Sequence, residues 1–441
     1  MSLPPLRSAV FPDCSPKWDI VVASIFLAAT TASLVSAKTM AFTVATFISI
    51  LLGTQIVRGK FSCALFRQSP TTIPMAALLG LCAISLLWAD EPLQALQKFA
   101  IIVLIAAAVL AAVRSIASET PANLARLGES LWIGMLIGLF YVFLRNLTKG
   151  GADSAMLPSI VHKLVKFDLG EVVRSIAPIT LLIGPALLAI SAGFLKPWRA
   201  VFSSAVILAG VLAIASSPHE TSKVALVAWI LVFGLTCVSQ SAAYRMLQVA
   251  WMSACLLVVP ISIFAHSQNL QNAPWLQRTA QERILIWHGF AVLTLDAPLL
   301  GHGFDMAATS KPVIRGLAEL PYLQTGRKVP KHVKPFQAIH PHNAYLQVWY
   351  ELGALGAGLF LASGLSILLG LSRLQAEQKP LIYATASAAG VMLFSSYGLW
   401  QLWFVGLLGF SAVACAIAIR LSAPPRAEIL PDKQVIAQPA A

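Results

Sequence analysis

The sequence predicts an all-α, polytopic membrane protein with about twelve transmembrane helices and one large loop outside the membrane. Of its 441 residues, 58% are hydrophobic and only 11% are charged, whereas a soluble domain carries about 25% charged residues. Mean hydropathy is +0.77. Apolar runs of roughly 20 residues, enough for a helix to cross about 30 Å of hydrocarbon, recur along the chain. The bilayer is therefore expected to be the solvent for most of this protein.

Twelve apolar segments are long enough to be candidate spans, and one long polar interval separates the last three from the rest. An N-terminal bundle of about nine helices is predicted in residues 1–265, a large loop in 266–343, and about three helices in 344–420. Residues 421–441 are Pro-rich and predicted to be a disordered tail. The candidate spans lie near 19–36, 39–57, 72–88, 96–113, 129–147, 174–195, 200–215, 223–242, 246–265, 344–370, 381–398 and 401–419.

The distribution of basic residues predicts the orientation. With the N-terminus in the cytoplasm, fifteen Lys and Arg residues fall in the inside segments and eight in the short outside segments. The other eight lie in loop 266–343, which is too long for the positive-inside rule to govern. Both termini are therefore expected in the cytoplasm. The same asymmetry explains the net charge of +13, and without a basic run interleaved with aromatic residues no nucleic-acid partner is predicted.

The sharpest local signal lies where the long loop meets the tenth predicted helix. His340 and His342 flank a proline there, and Asn343, Gln347 and Glu351 follow at a spacing that puts them on one helix face. Ionisable groups entering a membrane are costly and suggest function. The alternative is a helix cap, with Asn343 as N-cap and the histidines on a wet rim. No metal is predicted, because the two histidines lack a third ligand at helical spacing.

The same segment resembles the O-antigen ligase and O-antigen polymerase family of bacterial membrane glycosyltransferases. The family motif is His, then Asn, Ser or Gln, nine residues, and Gly-x-x-Gly. Here His342 and Asn343 precede nine residues and then Gly353-Ala354-Leu355-Gly356. At average glycine frequency, a chance match in a chain of this size has a probability of about 1%. The resemblance implies that His342 is catalytic and that loop 266–343 is periplasmic, in the cell inner membrane.

A second segment is similar to the family's stretch of Arg, Trp and "P-L-x-G-x-G". It comprises residues 281–287, which contain Arg283 and Trp287, and residues 298–304. The resemblance implies that Arg283 binds the donor diphosphate, supported by Trp287, and a planar guanidinium suits two phosphate oxygens. The alternative is a surface arginine that pairs with Glu282 or with lipid headgroups.

A third family feature is an Arg after a Ser at the outer end of a middle helix. The corresponding stretch is Ser216–Lys223, where Lys223 would replace the arginine and keep only its charge. Arg174 is another candidate for this second donor contact, although an arginine at a helix end also snorkels to the interface. Some ligases carry a late Asp, but residues 381–420 contain no acidic residue, and no role is assigned there.

The resemblance implies an inverting glycan transferase with an undecaprenyl-diphosphate-linked donor and a lipid A-core or glycan acceptor. His342 would act as general base, oriented by Asn343 or Glu351, with His340 nearby. No cofactor is implied, and membrane lipids are the other expected partners. Ligase and polymerase remain open alternatives, with transfer to a protein as a third. A secondary transporter is the rival from another class, but it predicts inverted repeats that the sequence lacks.

Overall fold

The computed structural model describes residues 15–59, 72–147, 169–193, 196–310, 312–314 and 336–423. The tail predicted to be disordered lies outside these ranges from residue 424 onward, as do residues 315–335 of the long loop. The helices in the described part are α1 (Ser15–Val35), α2 (Met40–Val57), α3 (Ile73–Ser85), α4 (Pro92–Ile116), α5 (Pro121–Leu147), α6 (Leu169–Gly193), α7 (Lys196–Ala215), α8 (Glu220–Val238), α9 (Gln240–Ser267), α10 (Arg278–Thr294), α11 (Met306–Ser310), α12 (Ala344–Ser372), α13 (Lys379–Ser395) and α14 (Leu402–Ser422).

A helix occupies each of the twelve predicted spans, which confirms the all-α polytopic membrane fold. Ten helices in the described ranges are long and apolar enough to cross a membrane. The other two are α3, which has 13 residues and continues into a 3-10 turn at Leu86–Trp88, and α13, which has 17 residues. Large apolar side chains such as Leu104, Leu231 and Phe264 are more than 60% exposed, as expected of surfaces that face lipid.

The helix α6 forms the centre of the bundle. Of its span Arg174–Gly193, 83% is buried, against 22–50% for the other nine spans. Around it, aromatic rings join α1, α2 and α14, with centroids 4.7 Å apart for Phe26 and Phe47 and 5.2 Å apart for Phe26 and Phe410. The long connection between α9 and α12 is added at one end of this packed bundle.

Successive helices run in opposite directions, so alternate helix ends meet at the same end of the bundle. At one end, the Thr221 hydroxyl at the start of α8 donates to the Ser395 carbonyl at the end of α13 (2.6 Å). At the other end, Arg58 pairs with Glu119 (3.3 Å). Residues 268–343 follow α9 at the first end, whereas α1 begins and α14 ends at the second. This geometry agrees with the predicted placement of the two termini on the side opposite the long loop.

The described parts of this loop consist of a helix, a tight crossing and a small strand pair. The helix is α10, which spans Arg278–Thr294. Two-residue strands, β1 (Val313–Ile314) and β2 (Phe336–Gln337), pair antiparallel. Strand β2 leads directly into the segment that carries the two histidines.

Residues 298–303 cross α12 where that helix is broken. Gly353 has φ +61° and ψ −158°, a conformation that is essentially restricted to glycine. The break leaves the Tyr350 and Glu351 carbonyls without helical partners, and they accept the backbone N–H groups of His302 (3.0 Å) and Gly303 (2.8 Å). In return, Ala354 N–H donates to the Pro298 carbonyl (2.8 Å).

The two backbones approach so closely that neither side of this crossing has room for a side chain. A Cβ added at Gly353 would lie 2.4 Å from the Leu299 carbonyl carbon, and one added at Gly301 would lie 2.3 Å from that of Glu351. The two glycine-containing segments that were noted separately in the sequence therefore form one joint, which fixes the loop onto α12.

Candidate active site

The segment before α12 places two histidines by a sharp turn and a helix cap. Asn343 is the N-cap, with its side-chain oxygen accepting the Leu346 N–H (3.1 Å). His342 has φ +55°, in the left-handed region that non-glycine residues rarely adopt. Its backbone N–H donates to Nδ1 of His340 (3.2 Å), and the two ring centroids are 4.1 Å apart. The capping interpretation of Asn343 is correct.

The hydrogen bonds of His342 define which ring nitrogen can act as a base. Its Nδ1 lies 2.8 Å from the Ser396 carbonyl oxygen. A carbonyl only accepts, so Nδ1 carries the proton, and in the neutral imidazole the lone pair is on Nε2. Burial lowers the pKa of His342, and the positive charge of Arg283 lowers it further, while the Ser396 carbonyl and Glu282 act in the opposite direction. The ring is therefore neutral at physiological pH, with Nε2 able to accept a proton.

His340 has the opposite tautomer. Its Nδ1 accepts the His342 N–H, so the ring proton of the neutral form is on Nε2. Burial, with smaller effects of His342 and Lys98, lowers the pKa of His340 to about 3. His340 is therefore a neutral hydrogen-bond donor, and its only basic nitrogen is already occupied.

A cavity of about 150 Å³ lies beside His340. An ion pair lines it, in which the partly exposed Lys98 of α4 binds Asp305, whose side chain is 2% exposed. Burial raises the pKa of Asp305, and the Lys98 ammonium opposes this shift. The other polar residues of the lining are Gln347, Trp400 and Gln401. Hydrogen-bond donors and acceptors beside an indole ring are a combination that suits a sugar.

Arg283 lies on α10 and is directed at the end of α13. Its Nη1 donates to the Ser395 hydroxyl (2.7 Å). Because His342 binds the next residue, Ser396, the guanidinium and the imidazole are held side by side. Burial lowers the pKa of Arg283, with Tyr397 and Glu282 opposing the shift, but a guanidinium remains charged in proteins. A fixed positive charge thus lies next to a neutral base.

A third histidine, His219, completes this cluster from the N-terminus of α8. Its Nδ1 lies 2.6 Å from the Ser222 hydroxyl, and its Nε2 lies 3.3 Å from the Tyr397 hydroxyl. Burial lowers the pKa of His219 to about 4, helped by the charge of Arg283. The stretch Ser216–Lys223 therefore does reach the site, although through His219, which sequence reasoning did not select.

The two candidates for a second cation differ in their surroundings. Lys223 pairs with Glu220 of the same helix (2.9 Å), and each side chain is 36% exposed. Arg174, at the start of α6, is close enough to Tyr397 for its charge to affect the pKa of that tyrosine. Burial raises the pKa of that tyrosine, and the charges of Arg174 and Arg283 both oppose the shift. Arg174 thus shares a neighbour with Arg283.

The polar face of α12 forms hydrogen bonds that hold neighbouring segments against this helix. Glu351 is completely buried, and its carboxylate accepts N–H groups from the backbone of Asp305 and Ala307 (3.2 Å each), from Gln347 (3.0 Å) and from the Trp400 indole. The Gln347 side-chain oxygen accepts the Leu399 N–H (2.8 Å). These bonds hold the crossing segment and the α13–α14 connection against α12, whereas the His342 ring is oriented by Ser396.

Trp287 packs its ring against Phe394 with centroids 5.3 Å apart, and its indole N–H has no hydrogen-bond partner among the described residues. It lies on α10 one turn after Arg283. The residues that sequence reasoning missed are those that bind the selected ones: Lys98, His219, Asp305, Ser395, Ser396 and Tyr397. Several of them come from helix ends far apart in the chain, so no local motif connects them.

The region that contains this site is similar to known proteins. Residues 203–361 match the family described as O-antigen ligase. Proteins named "Putative polysaccharide ligase" from Rickettsia conorii and Rickettsia prowazekii are 30% and 29% identical over 176 and 178 residues. Each alignment covers 40% of this chain, and they cover 41% and 42% of the relatives. The chain thus spans about two fifths of the length of these curated relatives.

Proposed function

We propose that this chain, of which residues 203–361 match the O-antigen ligase family, is a membrane glycan transferase that uses a polyprenyl-diphosphate-linked donor. The glycan would pass to an acceptor sugar hydroxyl with inversion at the anomeric carbon. The observation that carries this proposal is the pairing of a neutral His342, whose Nε2 is an acceptor, with the half-buried guanidinium of Arg283. A base beside a fixed cation suits attack by a hydroxyl and departure of a diphosphate.

The proposed reaction is a single displacement. The acceptor oxygen attacks the anomeric carbon of the donor and transfers its proton to Nε2 of His342. The bond between that carbon and the phosphate oxygen breaks, and the electron pair leaves with the diphosphate. Arg283 stabilises the negative charge that develops on the leaving group, with Arg174 as our preferred second contact over Lys223. Attack opposite the leaving group inverts the configuration.

We place the acceptor sugar in the cavity beside His340. The His340 Nε2–H, Lys98, Asp305 and Gln401 offer hydrogen bonds to hydroxyl groups, and Trp400 offers an apolar face. His340 would thus bind the acceptor, while His342 removes its proton. The adjacent positions of the two rings bring the bound hydroxyl next to the base.

The orientation that fits this function has the site at the periplasmic face of the inner membrane and both termini in the cytoplasm. Reporter fusions at Ala318 and at the C-terminus test it. We expect periplasmic reporter activity at Ala318 and cytoplasmic activity at the C-terminus. The reverse result would contradict the topology and the proposed access of periplasmic acceptors.

Deletion of the gene distinguishes a ligase from a polymerase. Loss of smooth lipopolysaccharide, with accumulation of undecaprenyl-linked polymer, would identify a ligase that uses lipid A-core. Lipopolysaccharide capped with single repeat units would identify a polymerase. Unchanged lipopolysaccharide and exopolysaccharide would contradict both, and transfer by the purified protein from a lipid-linked donor is the direct measurement.

A further inference from the structure

The end of the bundle opposite the active site contains a larger cavity, of about 390 Å³. It lies between the ends of α4 and α14 and the connection from α12 to α13. The side chain of Gln240, at the start of α9, donates to the Ala376 carbonyl in this connection (3.0 Å), which places all these elements at one end. The apolar part of the lining includes Val113, Ile116, Ala416 and Ile419.

The polar part of the lining is basic. It includes Arg373, which caps α12, and Arg420, in the last turn of α14. The Nε of Arg420 is buried and has no hydrogen-bond partner, and no salt bridge in the described ranges involves either arginine. The neighbouring acidic residue, Glu377, is exposed. A buried guanidinium N–H requires an acceptor, and the cavity supplies the space for one.

Hydrogen bonds fix the walls of the cavity relative to one another. The Gln378 side chain donates to the Ile419 carbonyl and to the Ser422 hydroxyl, at 2.9 Å each. These bonds tie the α12–α13 connection to the last turn of α14. The two arginines are consequently held on elements whose separation is fixed.

We propose that this cavity binds an anionic phospholipid, with its phosphate on Arg420 and Arg373 and an acyl chain along Val113, Ile116 and Ile419. Two cations that line one cavity suit a phosphate, and the apolar wall at a membrane boundary suits a lipid rather than a free anion. The site lies at the end of the bundle remote from His342, so it is independent of the proposed transfer activity.

Native mass spectrometry of the full-length protein, titrated with phosphatidylglycerol or phosphatidylcholine, tests the proposal. We expect phosphatidylglycerol to bind the wild-type protein more tightly. Arg420→Gln and Arg373→Gln should each weaken its binding roughly tenfold, because a hydrogen bond to a charged group is lost. The matched control is Arg245→Gln, which removes an exposed arginine of α9 at the same end of the bundle and should bind like wild type.

A second variant keeps both arginines. Ala117 lines the cavity at an exposed position, and Ala117→Trp should block it and weaken phosphatidylglycerol binding without unfolding the protein. Unchanged binding in Arg420→Gln, or an equal loss in Arg245→Gln, would overturn the proposal. Displacement of the lipid by millimolar inorganic phosphate would overturn the assignment to a lipid and indicate a free anion.

Discussion

The first half of the motif, from His340 to Asn343, differs from its second half, from Glu351 to Gly356, in what the polar groups bind. In the second half, the Glu351 carboxylate accepts four N–H groups, and the carbonyls released at Gly353 accept two more. In the first half, the Nδ1 atom of each histidine takes part in a hydrogen bond, and the Nε2 atom lies on the other side of the ring. We therefore expect the first half to be the reactive part and the second half to be a joint, and substitutions should separate the two by activity and by stability.

The largest expected effect is that of His342→Ala on the transfer rate. Loss of a general base lowers the rate by about 10²–10⁴-fold, while membrane insertion and thermal stability should remain normal. Transfer assays on the purified protein with a lipid-linked donor measure the rate. The matched control is His340→Ala, which removes a donor whose Nδ1 is already occupied and should cost much less. Equal losses in both variants would indicate a structural role for the pair, and substantial activity in His342→Ala would exclude the general-base role.

Arg283→Lys tests the cation beside this base. A lysine preserves the charge but cannot bind Ser395 and two phosphate oxygens in one plane. We expect activity to fall by roughly 10–100-fold, the equivalent of one hydrogen bond to a charged group. Lys223→Arg is the control, because that side chain pairs with Glu220 and should tolerate the change. Full activity in Arg283→Ala would remove Arg283 from the donor site.

Gly353→Ala should instead reduce stability, which would show that the second half of the motif is the joint. Its backbone conformation costs a non-glycine residue about 1–3 kcal/mol, and the new Cβ would lie 2.4 Å from the Leu299 backbone. We expect a clear drop in the melting temperature of the detergent-solubilised protein. Gly358→Ala, on the same helix with no atom within 4 Å of the added Cβ, is the control and should be neutral. Equal melting temperatures for the two variants would contradict the proposed joint.

Sequence patterns predicted the elements of this molecule better than the contacts between them. Apolar length predicted helices at all twelve positions, because spanning a bilayer requires it. The spacing of Asn343, Gln347 and Glu351 predicted their common face, but their partners depend on which helix ends meet. His219 lies 178 positions before Tyr397, and Ser396 lies 54 positions after His342. A turn with φ +55° at His342 leaves no sequence signature. Those contacts follow from tertiary packing.

The smallest expected effect is a shift in the pH dependence of activity. It tests whether the residues around His342 set the pKa of its imidazole. The base must be neutral, so activity should fall as pH drops through its pKa. Burial and then Arg283 lower that pKa, so the acid limb of kcat/KM should lie below pH 6.5.

Glu282 acts in the opposite direction, and Glu282→Gln removes its negative charge. The pKa of His342 should then fall further and move the acid limb to lower pH. Glu377→Gln, at the other end of the bundle, removes the same charge and should leave the limb unchanged. An acid limb that moves to higher pH in Glu282→Gln would show that the titrating group is not His342.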